Sequence, residues 1–198
     1  MGRQLASSAT KCVGYGEVFD IKGFLDYPKN DWDLEHYPPI LGIEDDYVIQ
    51  PDDVFVCSMG DVKKKKECIE RVLSKGGEFI SLIHKSVTVH PTIKIGKGVI
   101  ISANVGLGVD SKIGDYSFLQ YESIIGHDVV IGDFSRIDSR VVLVGGVIVG
   151  NNVTIHTNSI INHNVVVEDN STVGAMSFVI KKVKSGQTVF GNPAKVIF

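Results

Sequence analysis

The 198-residue chain predicts a small α/β unit followed by a parallel β-helix. Three observations carry that reading. From Val89 to Val179 every sixth residue is a branched aliphatic, beginning Val89, Ile95, Ile101, Leu107 and ending Val167, Val173, Val179. Two places before each of these the chain holds only Val, Ile or Ser, among them Val87, Ile93, Ser117, Ser135 and Ser177. Upstream of this run, apolar strand-like and helix-like segments alternate, as in a small parallel sheet with ligand-binding potential at its strand ends. A six-residue period matches neither a helix nor a plain strand. One short strand and one bend consume six residues, three such units close a triangular coil, and coils stack at about 4.8 Å. The aliphatic points inward, the small residue sits near the corner, and Gly after the aliphatic (Gly108, Gly126, Gly132) is expected to relax the bend. About five coils follow from counting repeats.

In chain order, residues 2 to about Cys12 read as a short helix, and Val18 to Leu25 as a strand. A loop rich in Pro, Asp and Asn runs to about Pro39. Glu44 to Val48 reads as one helical turn, and Val54 to Cys57 as a second strand. Gly60-Asp61 makes a turn and a cap for an amphipathic helix from Val62 to Lys75, with Cys68, Ile69, Val72 and Leu73 on its buried face. Gly76-Gly77 stops that helix. Phe79 to Ile83 is expected to be a third strand leading into the repeat. The domains are set at residues 1–85 and 86–198. The Lys63–Lys66 run reads as a solvated helix start, with a phosphate contact as its alternative.

Composition narrows function. A formal charge of −3 gives no support for nucleic-acid binding, and no apolar run is long enough to span a bilayer. Cys12, Cys57 and Cys68 lack metal-ligand spacing and read as reduced thiols of a cytoplasmic protein; no metal is expected.

The chain resembles the hexapeptide-repeat sugar acetyltransferases of the left-handed β-helix class. More narrowly, it is similar to bacterial nucleotide-amino-sugar N-acetyltransferases and sialic-acid O-acetyltransferases. The residues that carry this are Gly23-Phe24-Leu25-Asp26, Gly60-Asp61 and Phe79–His84 upstream. Downstream they are Ile125-Gly126-His127-Asp128-Val129-Val130-Ile131-Gly132-Asp133-Phe134, Val173-Gly174-Ala175 and Gly191-Asn192-Pro193-Ala194-Lys195. The resemblance implies a Rossmann-like N-terminal domain and a left-handed coil. Members usually open with a strand and a glycine-rich loop that cradles a phosphate at a helix N-terminus. Met1-Gly2-Arg3 resembles the end of that loop, so a sheet lacking its first strand is expected.

The same resemblance implies acetyl-CoA as co-substrate, a cytoplasmic homotrimer with sites between β-helices, and a UDP-linked amino sugar of surface-glycan synthesis as acceptor. Acetyl transfer needs a group to take a proton from the attacking amine or hydroxyl, and a neutral imidazole with an ordinary pKa of about 6.5 suits this. His127, two places after inward Ile125, should point outward as the general base, with Asp128 orienting it and Gly126 permitting the corner that brings them together. One coil later comes Gly145 and one further His163; a Gly145 or Gly146 N–H would serve the oxyanion. The resemblance implies pantetheine running past Thr157 and Ala175, with Lys181, Lys182 and Lys184 available to CoA phosphates. Asp26, Gly60 and Asp61 would contact or border the nucleotide.

Two positions depart from the family pattern. Arg136 stands where many relatives carry a second His, and Gln120 where they can carry an Asn that contacts the sugar. Arg136 would favour an anionic acceptor, which keeps the sialic-acid branch open, or would simply pair with Asp133 or Asp138. His163 is the alternative base. His156 reads as a corner residue, His84 and His90 as packing, and nothing marks His36. A non-catalytic trimeric β-helix that binds or scaffolds is the alternative of a different class. A serine acetyltransferase lacks this α/β start, and a γ-class carbonic anhydrase would need zinc-ligand histidines that His127, His156 and His163 do not supply by spacing.

Overall fold

A computed structural model describes residues 2–27 and 35–198. The chain divides into two compact units, Met1–Ile80 and Ser81–Phe198.

The first unit contains helix α1 (Gly2–Ala9), strands β1 (Phe24–Leu25), β2 (Ile40–Gly42) and β3 (Val54–Phe55), helix α2 (Val62–Ser74) and strand β4 (Glu78–Phe79). In place of one small sheet there are two separate parallel ladders, β1 with β2 and β3 with β4. The strand expected from Val18 shrinks to Phe24–Leu25 because Gly14 and Gly16, at φ +87° and +78°, turn the chain back on itself. Val18 is left 82% exposed by that turn. Strand β2 escapes sequence reading because it is only three residues long. Most of the Pro/Asp/Asn loop expected before it falls at residues 28–34, outside the described residues. Ile43 C=O accepts from the Asp46 and Tyr47 N–H groups, which is the helical turn expected near Glu44.

Helix α2 is capped as expected: the Asp61 carboxylate accepts from the Lys64 N–H. Its buried stripe is Lys65, Ile69 and Val72. Lys65, expected in solvent, is only 4% exposed, and Leu73, expected inside, is 45% exposed. Lys65, Ile69 and Val72 fall four and then three residues apart on one face, and Leu73 lies one position off that stripe. Arg71 from the last turn pairs with Glu44. Cys57 and Cys68 are free thiols that meet side by side. A hydrogen bond from Cys68, helped by the Met59 backbone, pulls the Cys57 thiol down to about 7, and the same contact pushes Cys68 up.

The second unit is the parallel β-helix. Its first rung is Leu82–Ile83, paired in parallel with Ile100–Ile101. The single strand expected from Phe79 to Ile83 is therefore two strands, one in each unit. Three walls follow. The first carries Ile100–Ile101, Phe118–Leu119, Arg136–Ile137, Thr154–Ile155 and Thr172–Val173; the second carries Gly106–Leu107, Ile124–Ile125, Val142–Leu143, Ile160–Ile161 and Phe178–Val179. The third runs from Lys94–Ile95 to Val166–Val167. The register is one coil throughout, as in Phe118 against Arg136 and Ile124 against Val142. First-wall strands starting at residues 82, 100, 118, 136, 154 and 172 give the expected coils of eighteen residues. The far end closes with an antiparallel hairpin, Thr188–Gly191 with Ala194–Val196, which the hexad pattern does not encode.

Leu119, Ile137, Leu143, Ile155 and Ile161 line the prism axis at 0% exposure. The serines two places before Leu119, Ile137 and Ile161 are equally buried, and their hydroxyls are used: Ser117 donates to Gly132 C=O, and Ser135 to Gly150 C=O, each at 2.8 Å. Replacing Ile137 by Ala should cost about 2–5 kcal/mol, because stacked coils above and below prevent collapse of the cavity. Chemical denaturation followed by circular dichroism measures it.

The bend is made differently from the expectation. The glycine after each aliphatic does not take positive φ; the third residue after it does. Asn104, Asp110, Asp128, Asn152 and Asn164 sit there at φ between 58° and 61°. Asn and Asp tolerate this left-handed conformation best after Gly. The glycines are needed for stacking: a Cβ on Gly108 would lie 2.4 Å from the Gly126 carbonyl carbon in the next coil.

Candidate active site at two corners of the β-helix

The corner after the second wall stacks Val109, His127, Gly145 and His163, in steps of one coil. Asp128 N–H donates to Val109 C=O at 3.0 Å, Gly146 N–H to His127 C=O at 2.9 Å and Asn164 N–H to Gly145 C=O at 3.2 Å. Asp128 holds φ +58°, and that left-handed turn brings its side chain beside its neighbour's. The adjacent pair therefore cooperates because of Asp128's own backbone, not that of Gly126. His127 Nδ1 lies 2.8 Å from Asp128 Oδ2. A carboxylate acceptor there fixes the proton on Nδ1 and leaves the lone pair on Nε2. Both side chains are open to solvent, at 61% and 64%.

Gly145 is the floor of this site. A Cβ on it would sit 2.4 Å from His127 Nε2. Gly146, at φ +73°, would clash with Asn164 Oδ1 at 2.1 Å if it carried one. The Gly146 N–H is spent on His127 C=O, so of the two oxyanion candidates only Gly145 N–H lacks a hydrogen-bond partner among the described residues. At the corner after the third wall the equivalent N–H is capped by the side chain below, as Asp115 N–H is by Asp133 Oδ1 at 2.8 Å. Below Gly145 stands His163, whose ring centroid is 6.5 Å from that of His127.

The corner after the first wall stacks Gln120, Asp138 and His156. Asp138, expected at most as a partner for Arg136, is its centre and is 6% exposed. Arg136 grips it with one edge of its guanidinium, Nε to Oδ1 at 2.8 Å and a terminal nitrogen to Oδ2 at 2.9 Å. Gln120 Nε2 donates to Oδ1 at 2.6 Å and His156 Nδ1 to Oδ2 at 3.0 Å. Sequence reading took His156 as a bare corner residue. The stacking arithmetic that placed Gly145 under His127 would also have placed Gln120, Asp138 and His156 in one column.

Thr157 and Ala175 follow that same first-wall corner, where Met176 N–H reaches Thr157 C=O at 3.0 Å. A single chain thus puts Gly145 and Gly146 at one corner and Thr157 and Ala175 at another. Lys181 follows Val179 on the His127 corner and is exposed. Lys182 is tied to Glu168 at 2.5 Å, a hydrogen bond that also lowers the Glu168 carboxyl below its ordinary value. In the first unit, Asp26 and Gly60-Asp61 follow β1 and β3. Asp26 Oδ1 accepts from Tyr27 N–H, and Asp61 is occupied as the α2 cap. No group of three or more metal-ligand side chains occurs among the described residues. Nor is any helix among them long and apolar enough to cross a membrane.

The chain has the β-helix fold of the hexapeptide-repeat acetyltransferases, and part of its coil matches a hexapeptide family model. Residues 128–162 and 146–181 match the family model described as bacterial transferase hexapeptide (six repeats). No curated protein matches the chain. Among solved structures it is similar to the acetyltransferase domain of PglB from Neisseria gonorrhoeae in complex with acetyl coenzyme A. That match has 23% identity and a TM-score of 0.84, over 98% of this chain and 92% of that one. PerB from Caulobacter crescentus, in complex with CoA and GDP-perosamine, matches at 23% identity and a TM-score of 0.78, over 81% and 79%. A mutant of AntD, an N-acyltransferase from Bacillus cereus in complex with a dTDP-linked amino sugar and coenzyme A, matches at 26% identity and a TM-score of 0.54, over 59% and 79%.

Proposed function

We propose that the protein transfers the acetyl group of acetyl-CoA to the amino group of a nucleotide-linked amino sugar, with His127 as general base. The observation that carries this is the imidazole itself: Nδ1 held by Asp128, Nε2 placed over a bare glycine. The acceptor nitrogen attacks the thioester carbon as Nε2 takes its proton. Gly145 N–H is the donor for the oxyanion that forms. Collapse of the tetrahedral intermediate expels the CoA thiolate, which is protonated on release. The remaining glycine surface lets a flat thioester approach without a side chain in the way.

Between the two His–carboxylate pairs, His127 is the better base. Asp138 already answers the charge of Arg136 and so lends less to His156, whereas among the described residues Asp128 pairs with His127 alone. Support for a nucleotide sugar comes from the relatives crystallised with GDP- and dTDP-linked sugars. A UDP-linked acceptor is the form proposed from sequence.

The division of the site between corners supports a homotrimer, in which a neighbouring copy brings Thr157 and Ala175 toward His127. The second wall, which leads into the His127 corner, exposes Ile124 and Ile160 at 54% and 41%, and a neighbouring β-helix would cover them. The test is thiol release from acetyl-CoA against UDP-, GDP- and dTDP-linked amino sugars, with light scattering for the assembly. Turnover on at least one of them by a trimeric protein is the expected result. Silence on every acceptor would favour a binding or scaffold role.

A further inference from the structure

The first unit holds a pair of thiols that acetyl transfer does not use. Cys57 lies two residues past β3 and is buried; Cys68 lies on α2 and is half-buried. The chain turns back between them at Gly60-Asp61, and the two side chains meet in a hydrogen bond. The pair is polarised. The Cys57 sulfur takes a hydrogen bond from Cys68 and another from the Met59 backbone, and it feels the charge of Lys65. Against the cost of burial and a smaller opposing effect of Glu44, these hold the Cys57 thiol at about 7. Lys65 stands three residues before Cys68 on the same helix and is itself buried, so water screens its charge little. Cys68 is the complement, a thiol that keeps its proton because of the same contact. A nucleophilic sulfur beside a cation, with a second thiol at hand to resolve it, is the arrangement that oxidants find.

We propose that Cys57 and Cys68 form a redox modification site: hydrogen peroxide oxidises the Cys57 sulfur, Cys68 closes a disulfide onto it, and the turn at Gly60-Asp61 is released. The Cys57 thiolate attacks one peroxide oxygen, the O–O bond breaks and hydroxide leaves, giving a sulfenic acid. The Cys68 sulfur then attacks that sulfur, and the hydroxyl departs with the Cys68 proton as water. The first hydroxide becomes water with the proton that Cys57 had shed, so the thiol pair loses two electrons and the peroxide gains them. Sulfurs already in hydrogen-bond contact need to close by only roughly 1.5–2 Å to bond. Once bonded, Cys57 carries no charge, and the Met59 N–H loses an anionic acceptor. Met59 directly precedes Gly60-Asp61, and the Asp61 carboxylate caps α2. Oxidation therefore acts on the turn that borders the nucleotide in the reading above. That last consequence rests on the reading; the disulfide does not.

The full-length reduced protein is treated with graded hydrogen peroxide, alkylated in denaturant with N-ethylmaleimide and read by peptide mass spectrometry. Cys57 and Cys68 should lose alkylation together, appear as one linked peptide pair, and recover with dithiothreitol. Cys12, whose thiol donates to Ser8 C=O at 3.6 Å, is the internal control and should stay alkylated. Cys68→Ser keeps a donor beside Cys57 but cannot close the bond, so a sulfenic acid should persist at Cys57 and be captured by dimedone. Absence of the linked pair, or equal oxidation of Cys12, overturns the proposal. Hydrogen exchange at Met59–Asp61 should quicken by about tenfold on oxidation. Unchanged exchange after the disulfide has formed overturns the release of the turn. Calorimetry with a UDP-linked amino sugar should then show about fivefold weaker binding to the oxidised protein. Equal affinity despite a loosened turn, or no binding in either state, counts against the nucleotide-sugar reading of this turn alone.

Discussion

His127→Ala is expected to lose turnover by about 10²–10⁴-fold while the protein stays folded. The two halves of that result have separate causes. The ring contributes no core packing: it is 61% exposed, and the inward aliphatics around it are untouched. Surface changes of this kind stay within about 0.5 kcal/mol. On the proposed reading, what disappears is the group that would remove the acceptor proton as the new bond forms. Thiol release from acetyl-CoA, measured beside a melting curve, reads both halves. His163→Ala is the matched control, since His163 shares the column and sits two coils away; it should change turnover no more than a few-fold. If His163→Ala collapses and His127→Ala does not, the base has been assigned one site too early. Asp128→Asn should fall between them, because the amide still places the ring but no longer stabilises its protonated form.

Much of the fold was readable in the sequence. A hexad whose aliphatics never miss a beat leaves little room for another fold, since only a triangular coil hides one residue in six on a continuous axis. The serines two places earlier are where the prism narrows, and the structure buries them with their hydroxyls satisfied, Ser111 being an exception. His127 and Asp128 were legible because the repeat fixes which residues face out. What the hexad concealed was the location of the turn. Gly126 looked like the hinge, yet its role is clearance for the coil below, and the left-handed residue is Asp128. The distinction carries function: a left-handed Asp can both turn the chain and reach back to its neighbour's imidazole, which a left-handed Gly cannot.

The α/β unit was less legible for the opposite reason. Its strands are two or three residues long, so no period develops within any of them. Lys65 shows the same limit, because a lysine in a run of four reads as solvent-facing until its helix is seen to put that position on the buried stripe. The Asp138 cluster was within reach, since the one-coil offset joins Gln120, Asp138 and His156. Sequence gives the column but not the pattern of hydrogen bonds that ties it to Asp138.

Gly145→Ala should abolish most turnover, by about 10²-fold, without unfolding the protein. Its backbone is not left-handed, so alanine costs nothing in φ. The first atoms a Cβ meets are His127 Nε2 at 2.4 Å and Cε1 at 2.6 Å, the far end of an exposed side chain that can swing away. Stability is thus preserved and position is lost. Swinging the ring strains its 2.8 Å bond to Asp128 and moves Nε2 off the acceptor's proton. The methyl also fills the space over the N–H that would meet the oxyanion. Gly146→Ala separates these effects, because it would clash with Asn164 and requires a left-handed alanine, so its cost should appear in the melting temperature as well as in turnover. A Gly145→Ala enzyme with wild-type kcat would show that neither the ring's placement over this glycine nor the space above its N–H is part of the reaction, and would remove the main geometric reason for placing the chemistry at this corner.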